Sequence, residues 1–194
     1  MVDTIKGDKM RQNFGAKPIL YPMPVLIIGT YNSDGSANAM NAAWGGISEE
    51  NEITVCIDSG HKTAENLTIT QAFSVSVATA STLVSADYVG IASGNSTPDK
   101  IAKAGWSVLK SDFVNAPVFE ELPLTIECLV KSYDTESCRL VGEIVNVSAD
   151  DSVLTDGKID ADKLVPITYD PVSHTYRKIG EVIGRAFSDG KRLK

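Results

Sequence analysis

Only two histidines and three cysteines occur among the 194 residues. His61 and His174 stand far apart, and Cys56, Cys128 and Cys138 form no C-x-x-C pair. No spacing here would build a zinc or similar metal centre, and no disulfide framework is legible. Widely spaced thiols in odd number fit a reducing compartment, so a cytoplasmic location is expected. The chain also lacks a G-x-S-x-G elbow and both G-x-x-x-x-G-K-[ST] and G-x-G-x-x-G loops. No catalytic side chain and no metal ligand are therefore assigned. Long apolar runs are missing too. The longest, residues 24–29, is far short of the ~20 residues a membrane-spanning helix needs. Met1-Val2-Asp3-Thr4-Ile5-Lys6-Gly7-Asp8 has no apolar signal-peptide core. Basic charge is scarce, with 18 Lys and Arg against 25 Asp and Glu and a net charge of -7. That balance argues against nucleic acid or an anionic membrane as partner.

What remains is the composition of an ordinary folded protein, 43% hydrophobic and 22% charged. The length suits one domain, here residues 21–194 behind a lead-in of residues 1–20. Val25-Leu26-Ile27-Ile28-Gly29-Thr30 reads as a strand, Asn32-Ser33-Asp34-Gly35-Ser36 as a turn, and residues 37–40 as the returning arm of a hairpin. Ile53, Val55 and Ile57 alternate along one face, and residues 73–78 repeat the pattern. Between them, residues 63–70 read as a short helix. Residues 82–88 and 99–104 are further helices, joined through Gly90-Ile91-Ala92-Ser93-Gly94. Residues 124–131 and 139–147 form a long hairpin across Tyr133-Asp134-Thr135-Glu136, with Cys128 on its apolar face. The type of the run 176–185 stays open. Short strands at close intervals predict a mainly β fold, a β-barrel with short peripheral helices.

Three segments carry chemistry. Asn38-Ala39-Met40-Asn41-Ala42-Ala43-Trp44-Gly45-Gly46 combines two amides, small residues, an indole and two glycines. It suits close approach of a flat heterocycle; equally, it suits a barrel bend with a glycine bulge and Trp44 as a core plug. Ser59-Gly60-His61-Lys62-Thr63 opens a helix, where unpaired N–H groups and a lysine would favour a phosphate; the plain alternative is a helix cap beside a solvated lysine. Ser93-Gly94-Asn95-Ser96-Thr97-Pro98-Asp99-Lys100 is a polar loop ending in a cation. A phosphorylated heteroaromatic cofactor would use all three, and would supply the redox group the polypeptide lacks.

On these residues the sequence resembles the flavin reductase-like, FMN-binding split-barrel family, and within it the flavoredoxin group. The likeness runs from about residue 21 to residue 191. It is carried by residues 24–30, Asp34-Gly35, Asn38-Ala39-Met40 with Trp44, and Lys62-Thr63-Ala64-Glu65-Asn66-Leu67 before Phe73-Ser74-Val75-Ser76. Asp87-Tyr88-Val89-Gly90, Ser93-Gly94, Asp99-Lys100 and Gly142-Glu143-Ile144-Val145 complete it.

The resemblance implies a Greek-key-like, six-stranded split barrel, usually a homodimer, with FMN held noncovalently near the subunit interface. It carries flavin contacts onto Thr30, Asn38, Ala39, Met40, Asn41, Ala42 and Trp44 around the ring and ribityl chain. His61, Lys62 and Thr63 fall at the phosphate, and Lys100 approaches the flavin from the following loop. Cys138 stands where many relatives carry a histidine beside the flavin. Among Tyr169, His174 and Tyr176, which would form an aromatic wall, Tyr176 is taken into the candidate site. The implied activity is that of an NAD(P)H-dependent flavin oxidoreductase, with hydride passing to the flavin and electrons onward to an acceptor protein or a diffusible flavin. Two alternatives stand beside it: a nonenzymatic FMN electron carrier, and a split-barrel ligand-binding protein without redox turnover.

Overall fold

Alternation of apolar side chains decides the main sheet. Ile53, Val55 and Ile57 are all buried, as are Phe73 and Val75. The computed structural model describes residues 11–194; residues 1–10, with half of the expected lead-in and the segment tested for a signal core, lie outside the described residues.

The first half contains β1 (Met23–Pro24), β2 (Leu26–Tyr31), β3 (Ala37–Ala42), β4 (Gly45–Glu49) and β5 (Glu52–Cys56). Helix α1 (Lys62–Thr70), β6 (Ala72–Val77), α2 (Leu83–Ile91) and α3 (Lys100–Ala104) follow. Then come β7 (Val108–Lys110), β8 (Pro117–Phe119), β9 (Leu124–Asp134) and β10 (Arg139–Ala149). The chain closes with β11 (Leu154–Thr155), β12 (Lys158–Ile159), α4 (Ala161–Leu164), β13 (Ile167–Asp170) and β14 (Thr175–Lys178).

Seven strands pair in the order β3-β2-β6-β9-β10-β5-β4, every pair antiparallel. This curled, mostly β architecture is the split barrel with short peripheral helices. Its sheet carries one strand beyond the six the resemblance implies, because Gly45 and Gly46 begin the edge strand β4 instead of forming a bulge.

Both faces of the central strands are covered. Adjacent Ile27 and Ile28 are fully buried in different clusters: Ile28 packs with Val55, Leu67 of α1 and Phe73, and Ile27 with Val89 of α2, Trp106 and Phe119. A strand buried on both sides reads as a continuous apolar run, as residues 25–28 do. Cys128 is wholly buried in the first cluster, and burial pushes its thiol up to about 12.

The Asn32-to-Ser36 turn is closed by Asn32 N–H donating to Ser36 O at 2.8 Å, with Gly35 at φ +83°. Helix α2 runs three residues past its expected end, to Ile91. The reason lies in α3: Lys100 Nζ donates to Val89 O at 3.2 Å and to Ala92 O at 2.7 Å, serving carbonyls that a helix end leaves unpaired. The open run 176–185 resolves into the short strand β14 alone, paired with β13, which in turn pairs with β1. Tyr21 donates to Asp170 Oδ1 at 2.5 Å and Arg177 Nε to Oδ2 at 3.1 Å, tying the start of the barrel to this hairpin. The Tyr21 hydroxyl, with backbone N–H groups of Val172 and Ser173, holds the Asp170 carboxyl well below the usual carboxylate range. No helix among the described residues is long and apolar enough to cross a membrane.

Candidate functional site

Strand β3, the N-terminus of α1, the C-terminus of α2 and Lys100 of α3 enclose a hollow of about 300 Å³. Asn38, Met40, Asn41, His61, Lys62, Thr63 and Lys100 all line it, so segments far apart in sequence meet here.

Asn38 is 2% exposed. Its Nδ2 donates to Thr63 Oγ1 at 3.0 Å, while Oδ1 has no partner among the described residues. A buried unpaired acceptor costs about 1–3 kcal/mol, so the position calls for a donor from a ligand. The α1 terminus is equally unsatisfied. His61 occupies the N-cap position without a side-chain cap bond, and the N–H groups of Lys62 and Thr63 find no acceptor among the described residues. Such a terminus carries partial positive charge. Lys62 adds a full one, paired with Glu65 Oε1 at 2.9 Å one turn along the helix.

Loop residues 92–95 close the opposite wall. A Cβ on Gly94 would lie 2.5 Å from Asn38 Oδ1 and 2.9 Å from Lys62 Cβ, so only glycine lets this backbone press against both. Asn95 Nδ2 donates to Gly60 O at 3.1 Å, joining the loop to the approach of α1. Lys100, 3% exposed, holds the other end through its bonds to the end of α2. Burial lowers its ammonium to about 8.

Not every residue expected at the flavin reaches this hollow. Thr30 is buried, its hydroxyl accepting from Asn66 Nδ2 at 3.0 Å, and Ala39 and Ala42 sit in the two packed clusters. Trp44 is neither a core plug nor a wall of this hollow. It is 57% exposed and lines a separate surface depression with Pro18, Leu20 and Pro22, where the chain passes from one edge strand of the sheet, β3, to the other, β4. Cys138 takes φ +58° in the β9–β10 turn, and its carbonyl accepts from Ile57 N at 2.8 Å. It lines neither this hollow nor the adjacent one, where Tyr169 and Tyr176 lie. Sequence reasoning missed two contacts: Asn95 to Gly60, and Asp87 Oδ1 accepting from Tyr176 at 2.7 Å. The second joins residues 89 positions apart, and no local pattern announces it.

An open antiparallel barrel with small helices set against β3, and a polar hollow between them, defines the split-barrel class. The model of the flavin reductase like domain family matches residues 19–175. The flavoredoxin of Desulfovibrio vulgaris (Miyazaki F) is 35% identical with a TM-score of 0.89, over 93% of this chain and 100% of that one. Flavoredoxin from Methanosarcina acetivorans is 26% identical with a TM-score of 0.83, over 96% and 100% of the two chains. Nitrilotriacetate monooxygenase component B from Bacillus cereus, 22% identical with a TM-score of 0.72 over 84% and 87%, shares the fold. No curated protein sequence matches. The chain belongs to the flavin reductase-like split-barrel family, in its flavoredoxin group, and a flavin is its cofactor.

The residues present suit that cofactor. An uncapped helix terminus with a lysine matches a phosphate, and a buried acceptor waiting for a donor matches a polyhydroxy chain. The close glycine contact keeps the hollow narrow.

Proposed function

We propose that this protein is an FMN-dependent electron-transfer flavoprotein that takes reducing equivalents from NAD(P)H or a donor protein and passes them to an acceptor. The observation that carries the reading is the convergence of Asn38, Lys62, Thr63 and the unsatisfied α1 terminus on one hollow. Lys62, Thr63 and the first N–H groups of α1 would hold the phosphate, with His61 beside them. Asn38 would stand beside the ribityl chain, and Met40 and Asn41 would border the ring. Lys100 keeps the 92–95 loop in place from behind. When bound, the flavin supplies the electron-accepting ring. The chain's own work is to orient it, neutralise its phosphate and exclude water from its buried side.

Two of the similar solved structures are named as FMN-binding, from Thermus thermophilus and Shewanella baltica, and both share the fold. The same reading makes residues 21–194 one functional domain, working in the cytoplasm as a homodimer. Trp44 and the exposed Leu20 beside it offer apolar surface for the second copy.

A visible spectrum of the purified protein, with mass identification of the flavin released on denaturation, tests the cofactor. Flavin bleaching by NADH or NADPH under anaerobic conditions separates an enzyme from a passive carrier. Protein that is colourless and takes up no added FMN would return the hollow to a non-redox ligand.

A further inference from the structure

Past β14 the chain runs on through residues 179–194, and none of them is buried. Val182 is 82% exposed, Ile183 95%, Phe187 98% and Leu193 93%. Large apolar side chains left bare together on one segment mark a surface made to be covered. The segment has local order of its own. Arg185 N–H donates to Asp189 Oδ2 at 2.6 Å, Asp189 N–H donates to Arg185 O at 3.1 Å, and Arg192 pairs with Asp189 at 3.4 Å. Its one hydrogen bond to the barrel, among the described residues, runs from Ile179 N–H to Pro166 O at 3.3 Å. It is an arm, folded locally and held to its own copy only at the root.

An apolar surface lies close to that root. Ile19, Leu20, Pro22, Pro24 and the exposed Trp44 line the depression already described, with Lys17 as its one charged residue. Pro24 faces Thr168, and Thr168 faces Arg177. The end of β14 therefore stands two strands, about 10 Å, from the rim of the depression. Five extended residues span about 17 Å, so Ile183 has the reach to cover this surface in its own copy, yet it stays bare. An arm and an acceptor side by side on one face are what a two-fold exchange needs, each copy's arm meeting the other's acceptor.

Charge selects the same occupant. Residues 179–194 hold four Lys and Arg against two Asp and Glu, leaving 14 against 23 in the rest of the chain. A basic arm is drawn to the acidic body of another copy. Within the arm, Glu181 precedes Val182 and Ile183 and is opposite in sign to Lys17 of the depression.

We propose that residues 179–194 cross to a second copy of this chain and seat Val182, Ile183 and Phe187 against Leu20 and Trp44 of that copy, in a reciprocal exchange. The exchange rests on the homodimer reading above and is independent of the flavin.

Sedimentation of the full chain and of a chain ended at Lys178 compares the two dimer constants, and loss of the arm should weaken the dimer at least about tenfold. Circular dichroism should show the shortened chain folded, because the arm packs on nothing in its own copy. Ile183→Asp combined with Phe187→Asp, at two bare positions, should weaken the full-length dimer likewise. Trp44 reports the seat, since the other tryptophan, Trp106, is buried. Its emission should move to the red when the arm is removed, and Trp44→Phe should abolish that move. Phe187→p-benzoylphenylalanine should crosslink between copies to residues 17–24 or 43–45. A monomer at every concentration would sink the homodimer reading and the exchange together. A dimer unmoved by loss of the arm, or the absence of a crosslink between copies at those segments, would overturn the exchange and leave the homodimer standing.

Discussion

Gly94 presses against Asn38 so closely that a methyl group on it would sit 2.5 Å from the Asn38 amide oxygen and 2.9 Å from Lys62 Cβ. The contact makes one wall of the hollow depend on the smallest side chain at position 94. Gly94→Ala should push the loop away from both residues at a cost of about 1–3 kcal/mol in cofactor binding, a loss of roughly tenfold or more in FMN affinity. Fluorescence titration with FMN measures this. The thermal midpoint of the flavin-free protein should move little, because the loop can shift outward.

Lys62 and Glu65 set a second expectation. Lys62→Ala removes a charge-assisted contact and should weaken FMN binding by about 1.5–3 kcal/mol. Glu65→Gln releases Lys62 from its 2.9 Å ion pair and should tighten FMN binding slightly, by about 0.5 kcal/mol or less for so exposed a pair. Dissociation constants at two salt concentrations check both, and Lys62→Ala should show the shallower salt dependence.

Asn38 should trade stability against function. Asn38→Ala deletes a buried, unpaired acceptor along with the bond to Thr63. The two effects oppose each other, so the flavin-free protein should stay within about 1 kcal/mol of the parent. FMN affinity should nonetheless fall. Chemical denaturation of the flavin-free forms, set beside binding titrations, separates the two quantities.

Lys100 gives a pH dependence of definite sign. Burial lowers its ammonium from 10.5 to about 8, so between those values the unfolded chain binds more protons at this site than the folded one. Stability therefore rises with pH through that window as the cost of a buried charge is lifted. Lys100→Met should lack this rise. It should also fray the end of α2, which loses the donor to Val89 O and Ala92 O. Urea midpoints measured across that window, for both proteins, check the difference.

Much of the barrel was legible because its strands are half-buried or fully buried, and burial writes itself into sequence as alternation or as an apolar run. β2, β5, β6 and the β9–β10 hairpin follow that rule. β4 does not. Its five residues, Gly-Gly-Ile-Ser-Glu, are mostly exposed at the sheet edge, so no face had to be apolar and no period appears. β13 and β14 are four residues each and exist through pairing with each other and with β1, at the far end of the chain.

The site divides along the same line. Residue chemistry and local conformation were set by sequence: amides and small residues in β3, a lysine and threonine opening α1, glycine where the loop must pass close. Which of these side chains share a hollow was decided by the tertiary structure, since it depends on long-range strand pairing and helix packing. That packing brought Asn38, Lys62 and Lys100 together, left Trp44 on another surface, and joined Asp87 to Tyr176 across 89 positions. Local physics acts over a few residues of chain and can specify the groups; only the closed fold specifies their neighbours.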